Sequence, residues 1–217
     1  MLTIFITIKI PAISIKKVPD YDGLLDKLMN GFAIIIIDNQ DILAVENRRD
    51  LTRGVSETDY ERSIIGPKDS FIEHFNTNVG LIRRRIKDIN LYLEDMQIGK
   101  YSKTKVGVMY LNGICKPDLV KETKKKLERI NIDGVIDSGY IRKWISNDLS
   151  LFPTIKSTER PDLASQALLE GKIVIVTDNS PNVLILPTFF IDYFHTSDDY
   201  YQKPINITFI RLIRLIA

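Results

Sequence analysis

Few residues in this chain have types and spacing suited to chemistry. Cys115, the one cysteine, stands between Gly113 and Lys116 at the end of an apolar run. A neighbouring cation can lower a thiol pKa, but nucleophilic catalysis also needs a base and an orienting group, and none lies nearby. A lone structural thiol is the plainer reading. His74 lies between Phe71 and Phe75, and His195 closes an aromatic stretch that starts at Phe189. Neither has a second histidine at ligand spacing, so both read as packed side chains rather than metal ligands or bases. One Cys and two His assemble no catalytic constellation, which points away from an enzyme. The acid pairs Glu94-Asp95 and Asp198-Asp199 read as solvated carboxylates, although the second, preceding Tyr200-Tyr201, also has the form of a cap or cation site.

The cations are equally ambiguous. Arg83, Arg84 and Arg85 form either a clamp for an anion or acidic partner, or the cationic end of a helix opposing its macrodipole. Lys121, Lys124, Lys125, Lys126 and Arg129 make a basic face, but Asp118, Glu122 and Glu128 dilute it and no aromatic residues interleave. Nucleic acid is therefore not the expected partner. Gly31, Gly54, Gly66 and Gly80 are scattered and form neither a dinucleotide nor a Walker-type loop, so no cofactor is expected. Thirty Lys plus Arg against 28 Asp plus Glu leave a formal charge of +2, too balanced to name a partner.

The elements that must position these residues begin with a repeat. Leu28-Met29-Asn30-Gly31 followed by Ile34 to Ile37 and Asp38-Asn39 is echoed 140 positions later by Leu168-Leu169-Glu170-Gly171, Ile173 to Val176 and Asp178-Asn179. Each copy reads as an amphipathic helix ended by a glycine at positive φ, a buried β-branched strand, a turn, and a returning strand at Ile42 or Val183. Two α/β lobes with mixed sheets, joined by a long helix, are the expected architecture. Residues 1–66 form the first lobe, 67–87 the helix, 88–203 the second lobe and 204–217 a leading segment.

Within this plan Met1 to Ile15 alternates as a half-buried strand and lacks the basic start and cleavage site of a signal peptide. The polar stretch 47–65 reads as a connector. Phe71, Phe75, Val79, Ile82 and Ile86 form the apolar stripe of the long helix, with Pro67 in its first turn and His74, Asn78 and Arg85 on other faces. Strands are predicted over 90–98, 105–111 and 133–136, and helices over 117–130, 139–146, the second repeat and 189–195. Their alternation favours parallel strand pairs. No run of eighteen apolar residues occurs, so this stretch is not expected to span a membrane. Its last segment, from Ile205, is nonetheless apolar around Arg211 and Arg214.

Gly66-Pro67-Lys68-Asp69-Ser70-Phe71 through Arg83-Arg84-Arg85-Ile86 resembles a signature of the GerA family, the A subunits of spore germination receptors. Further strings follow in the same order: Ile132-Asp133-Gly134-Val135-Ile136-Asp137-Ser138-Gly139, Phe152-Pro153-Thr154, Thr158-Glu159-Arg160-Pro161-Asp162, Leu169-Glu170-Gly171-Lys172, Thr177-Asp178-Asn179-Ser180-Pro181 and Asp198-Asp199-Tyr200-Tyr201. The resemblance covers residues 21 to 217. Asp178-Asn179-Ser180 replaces the family's frequent Asp-Gly-Ser, a change compatible with a tight turn because asparagine tolerates left-handed angles.

The resemblance implies a soluble amino-terminal domain on the cytoplasmic, spore-core side of the spore inner membrane. Its implied partners are a permease-like B subunit and a lipoprotein C subunit, with a homo-oligomer also open. Its implied work is germinant sensing, signal relay or receptor assembly. The alternative is a module that binds a small germinant, an amino acid or a sugar, in the inter-lobe cleft. Arg83, Arg84, Arg85, Glu159, Arg160, Asp162, Asp198 and Asp199 are the interface or inter-lobe candidates. Arg211 and Arg214 resemble the positive flank of a membrane helix, predicting an apolar run of about 20 residues beyond Ala217.

Overall fold

A computed structural model describes residues 14–18, 20–37, 41–46, 67–146 and 154–189. These fall into two units, one holding the described residues up to 46 together with 87–89, the other 67–86 and 90–189. The expected strand before residue 14, the connector 47–65, Phe152-Pro153, the rest of the 189–195 helix with His195, Asp198, Asp199 and the segment from Ile205 lie outside the described residues.

In the first unit β1 (Ser14–Val18) leads into α1 (Tyr21–Met29), which is followed by β2 (Ala33–Ile37) and β3 (Asp41–Glu46). Asp20 starts the helix by accepting the Gly23 N–H at 2.7 Å. The sheet order is β1-β3-β2, antiparallel throughout. Val18, Phe32 and Ala44 form its small core, with Leu24, Ile34 and Ile42 packed against them.

In the second unit α2 (Phe75–Arg85) precedes β4 (Leu91–Ile98) and β5 (Thr104–Leu111), and then come α3 (Pro117–Glu128) and α4 (Ser138–Ile145). The chain continues through β6 (Lys156–Thr158), α5 (Pro161–Leu169), β7 (Ile173–Thr177) and β8 (Val183–Leu186). The five strands form one sheet in the order β4-β5-β7-β8-β6. Because side chains alternate, each face carries its own core. Leu91, Met109, Val174, Val176 and Ile185 face α2 and α5, and Val106, Val108, Ile173, Ile175 and Leu184 face α3 and α4. The result is helix, sheet and helix in three layers. Gly107 has no side chain because Phe75 lies on it: a Cβ there would meet the Phe75 ring at 2.7 Å.

The α/β expectation holds, but the parallel pairs of a mixed sheet do not, since every described ladder is antiparallel. The cause is an insertion. α5 crosses from β6 to β7, which run in the same direction, yet β8 turns back and enters between them, splitting the parallel pair into two antiparallel ones. β3 does the same between β1 and β2. The repeat is thus a repeated topology, and its local detail agrees. Gly31 and Gly171 take φ of 80° and 81°. Phe32 N–H donates to Lys27 O at 3.0 Å and Lys172 N–H to Ala167 O at 2.9 Å, the closing bond of a Schellman cap in both copies. Ile35 faces Leu43 whereas Ile175 faces Leu184, so the second hairpin is longer by one residue.

Two other expectations change. The helix predicted from Pro67 begins at Phe75, and residues 133–136 are not a strand. The first of these changes follows from the backbone of residues 71–73, where Phe71 and Glu73 bond distant loops and Ile72 bonds the Asn78 side chain, so that these groups are not free to close helical bonds.

Candidate functional site

The segment ahead of α2 is where the motif strings meet. Phe71 N–H donates to Glu159 O at 2.8 Å, and Asn179 N–H donates to Glu73 O at 2.8 Å. Phe75 N–H, at the open end of α2, donates to the Asp178 carboxylate at 3.2 Å, where an anion also complements the helix dipole. Asn78, one turn inside α2 and fully buried, uses both ends of its amide: Oδ1 accepts Ile72 N–H at 2.9 Å, and Nδ2 donates to Ile72 O and to Ser180 O. Ser180 reaches onward, its Oγ 2.9 Å from Asp137 Oδ2 and 3.0 Å from Ser138 Oγ. Asp137 in turn accepts Gly139 N–H at 2.6 Å and so caps α4. Asn179 holds φ at 62°, the left-handed angle expected of it.

Arg160 is the most deeply buried cation of this region, 1 % exposed. Its Nε and Nη2 meet the Asp162 carboxylate at 3.0 and 2.7 Å, a bidentate pair, and Nη2 lies 3.4 Å from Pro67 O. Glu159 supplies its carbonyl to Phe71 N–H and to the Ser70 hydroxyl. Of the arginine run, Arg85 Nη2 bridges both carboxylate oxygens of Asp69 at 2.6 and 2.8 Å, Arg84 reaches the same carboxylate at 3.3 Å, and Arg83 is half-buried. The structure therefore gathers Glu159, Arg160 and Asp162 on the Pro67–Phe71 segment and ties Arg84 and Arg85 to Asp69. Asn78, Asp137, Ser180 and Asp69 are members of this seam that sequence reasoning did not single out. Asn78, read as a polar-face residue, is instead interior, enclosed by Ile72 just ahead of the helix and by Ser180 from a loop about a hundred positions away.

The groups with chemistry take plainer roles. His74, expected to be packed, is exposed. It sits one residue before α2, where its Nδ1 accepts Thr77 N–H at 3.3 Å as the N-cap. Burial pushes the Cys115 thiol up, opposing any activation by Lys116. On the other face of the sheet, Glu94 accepts the Tyr110 hydroxyl at 2.6 Å and a bond from Lys124. Lys124 and then Tyr110 hold its carboxyl below the usual range. Desolvation, and then Glu94, push Tyr110 up to about 12. These groups line a cavity of about 580 Å³ with Cys115 and one side of α3 from Pro117 to Glu128. Among the described residues no group of three His, Cys, Asp or Glu could hold a metal ion, and no helix is long and apolar enough to cross a membrane.

Comparison with known proteins agrees with the motif strings. Residues 2–217 match the family model described as the Bacillus/Clostridium GerA spore germination protein. Spore germination protein KA of Bacillus subtilis is 37% identical over 210 residues, covering 96% of this chain and 39% of that protein. Spore germination protein B1 of the same species is 39% identical over 189 residues, 86% of this chain and 39% of that one. The chain thus spans about two fifths of these relatives. The crystal structure of the N-terminal domain of the A subunit of the Bacillus megaterium spore germinant receptor GerK3 is 34% identical with a TM-score of 0.64, covering 87% of this chain and 67% of that one.

Proposed function

This chain belongs to the GerA family of spore germination proteins, and from that premise we propose that it is a non-enzymatic relay and assembly domain of a germinant receptor A subunit. The seam ahead of α2 is the observation that supports this reading. Four segments distant in sequence converge there, and their polar groups are spent on one another. Such a cross-tied body transmits displacement rather than converting substrate. In this reading the domain lies on the cytoplasmic side of the spore inner membrane and works with a permease-like B subunit and a lipoprotein C subunit. Arg83 and the outer edge of the Arg84–Asp69 pair form its candidate contact surface.

The test is to delete this domain from the parent receptor and to measure two things separately, recovery of the partner subunits in the spore membrane and germination. Loss of partner recovery is the expected outcome. Normal recovery together with normal germination would overturn the reading. Charge reversal at Arg84 narrows the surface: the reversed receptor is expected to assemble poorly, and unchanged folding with unchanged germination removes Arg84 from it.

A further inference from the structure

We propose that the second unit carries a binding site for a small organic monoanion, a carboxylate on a short apolar body, in the groove between α3 and the β4–β5 strands. The proposal stands on the groove alone and does not depend on the relay role. Its volume, about 580 Å³, falls within the roughly 300–1,000 Å³ of small-molecule sites.

The lining has two parts. Cys115 and Val120, both buried, and Pro117 make an apolar floor. The Tyr110 ring forms a wall, kept upright by an edge contact with Tyr92 at 5.7 Å. The charge of the Glu94 carboxylate is offset by the Lys124 cation bonded to one of its oxygens, while the Tyr110 hydroxyl bonds the other.

What remains on the rim is cationic. Lys121 and Lys125, four positions apart and so on one face of α3, line the groove without an ion-pair partner among the described residues, against the single acid Glu128. Lys126, which does not line the groove, is paired with Glu122 at 2.9 Å. The unpaired lysines of this helix stretch are thus the ones beside the cavity. An anionic head at Lys121 and Lys125 with an apolar tail over Val120 and Cys115 satisfies both parts at once.

Isovalerate is the probe, titrated into the 217-residue protein while the backbone amides of Cys115 and Val120 are followed by NMR. Isovaleramide supplies the apolar body without the charge, and inorganic phosphate the charge without the body. Saturable shifts with a dissociation constant on the order of a millimolar are expected for isovalerate, together with slower alkylation of Cys115, the chain's one thiol, by iodoacetamide. Replacing Lys121 and Lys125 together by Gln is expected to weaken binding about five- to ten-fold, and Lys126→Gln to leave it unchanged. Equal titration by isovaleramide or phosphate overturns the proposal, as do unsaturated shifts at tens of millimolar isovalerate or undiminished affinity in the Lys121/Lys125 variant.

Discussion

Leu28 in α1 and Leu168 in α5 occupy the same place in two copies of one unit, yet Leu28 is 49% exposed and Leu168 is sealed at 0%. The difference runs through the whole repeat. No residue of α1 is buried, whereas five of the nine residues of α5 are. Ile36 in β2 is 58% exposed while its counterpart Val176 in β7 is fully covered. Both copies share helix length, C-terminal cap geometry and strand order. What separates them is surroundings, since β7 pairs with β5 on its outer edge and has α2 beside α5 on one face, with α3 and α4 on the other. A similar local pattern of helix, glycine and strand thus yields a thin layer in one place and the centre of a three-layer body in another.

The sharpest way to break this comparison is at the helix starts. Asp20 caps α1 from the surface, while Arg160 precedes α5 as a buried ion. Arg160→Ala leaves Asp162 without its partner and is expected to cost about 3–5 kcal/mol, against about 1 kcal/mol for Asp20→Ala. Urea unfolding with a probe in each unit reads both. Similar losses would show that the two helix starts carry equal weight.

Next comes the leucine pair. Leu168→Ala is expected to destabilise by about 2–5 kcal/mol, and Leu28→Ala to remain below about 1 kcal/mol because it is half exposed already. The same denaturation curves decide. A smaller contrast is expected at the caps: Gly31→Ala pays only for its positive φ, about 1 kcal/mol. Gly171→Ala costs more, since its new Cβ would also meet Ile114 O at 3.0 Å. Comparable melting shifts would mean that Ile114 yields without resistance.

The smallest effect tests a feature that only the second unit has. The lowered Glu94 carboxyl favours the folded state above its ordinary value of 4.5, and that contribution disappears as pH falls through the folded value. Glu94→Gln is therefore expected to lower the melting temperature slightly at neutral pH and to have no effect in acid. Tyr110 acts in the opposite window. Raised to about 12, it stabilises the fold fully below pH 10 and loses that contribution as pH rises toward about 12. A Tyr110→Phe protein should not show that component of the alkaline decline.

These contrasts also mark what could be read from the chain. The helix, glycine and strand of each copy were legible because they rest on neighbours within a few residues, and Gly31, Gly171 and Asn179 took the angles their types favour. The insertion of β3 and β8 was not legible, since strand order depends on pairings that periodicity does not encode. Helix α2 started late because Phe71, Ile72 and Glu73 commit their backbones to Glu159, Asn78 and Asn179. Asn78 looked like a surface amide until Ser180 and Ile72 surrounded it. The motif strings named the right segments without revealing that they meet. Gly107 was silent for the same reason, its meaning residing in the Phe75 ring above it.

The inserted strand has a consequence in time. A ribosome delivers β6, then α5, then β7, yet the ladder that joins β6 to the sheet runs through β8, the last to emerge. The same holds for β1, which waits for β3. Each copy is therefore completed by its final strand, and a nascent chain halted before Val183 holds β6 with no neighbour to receive it.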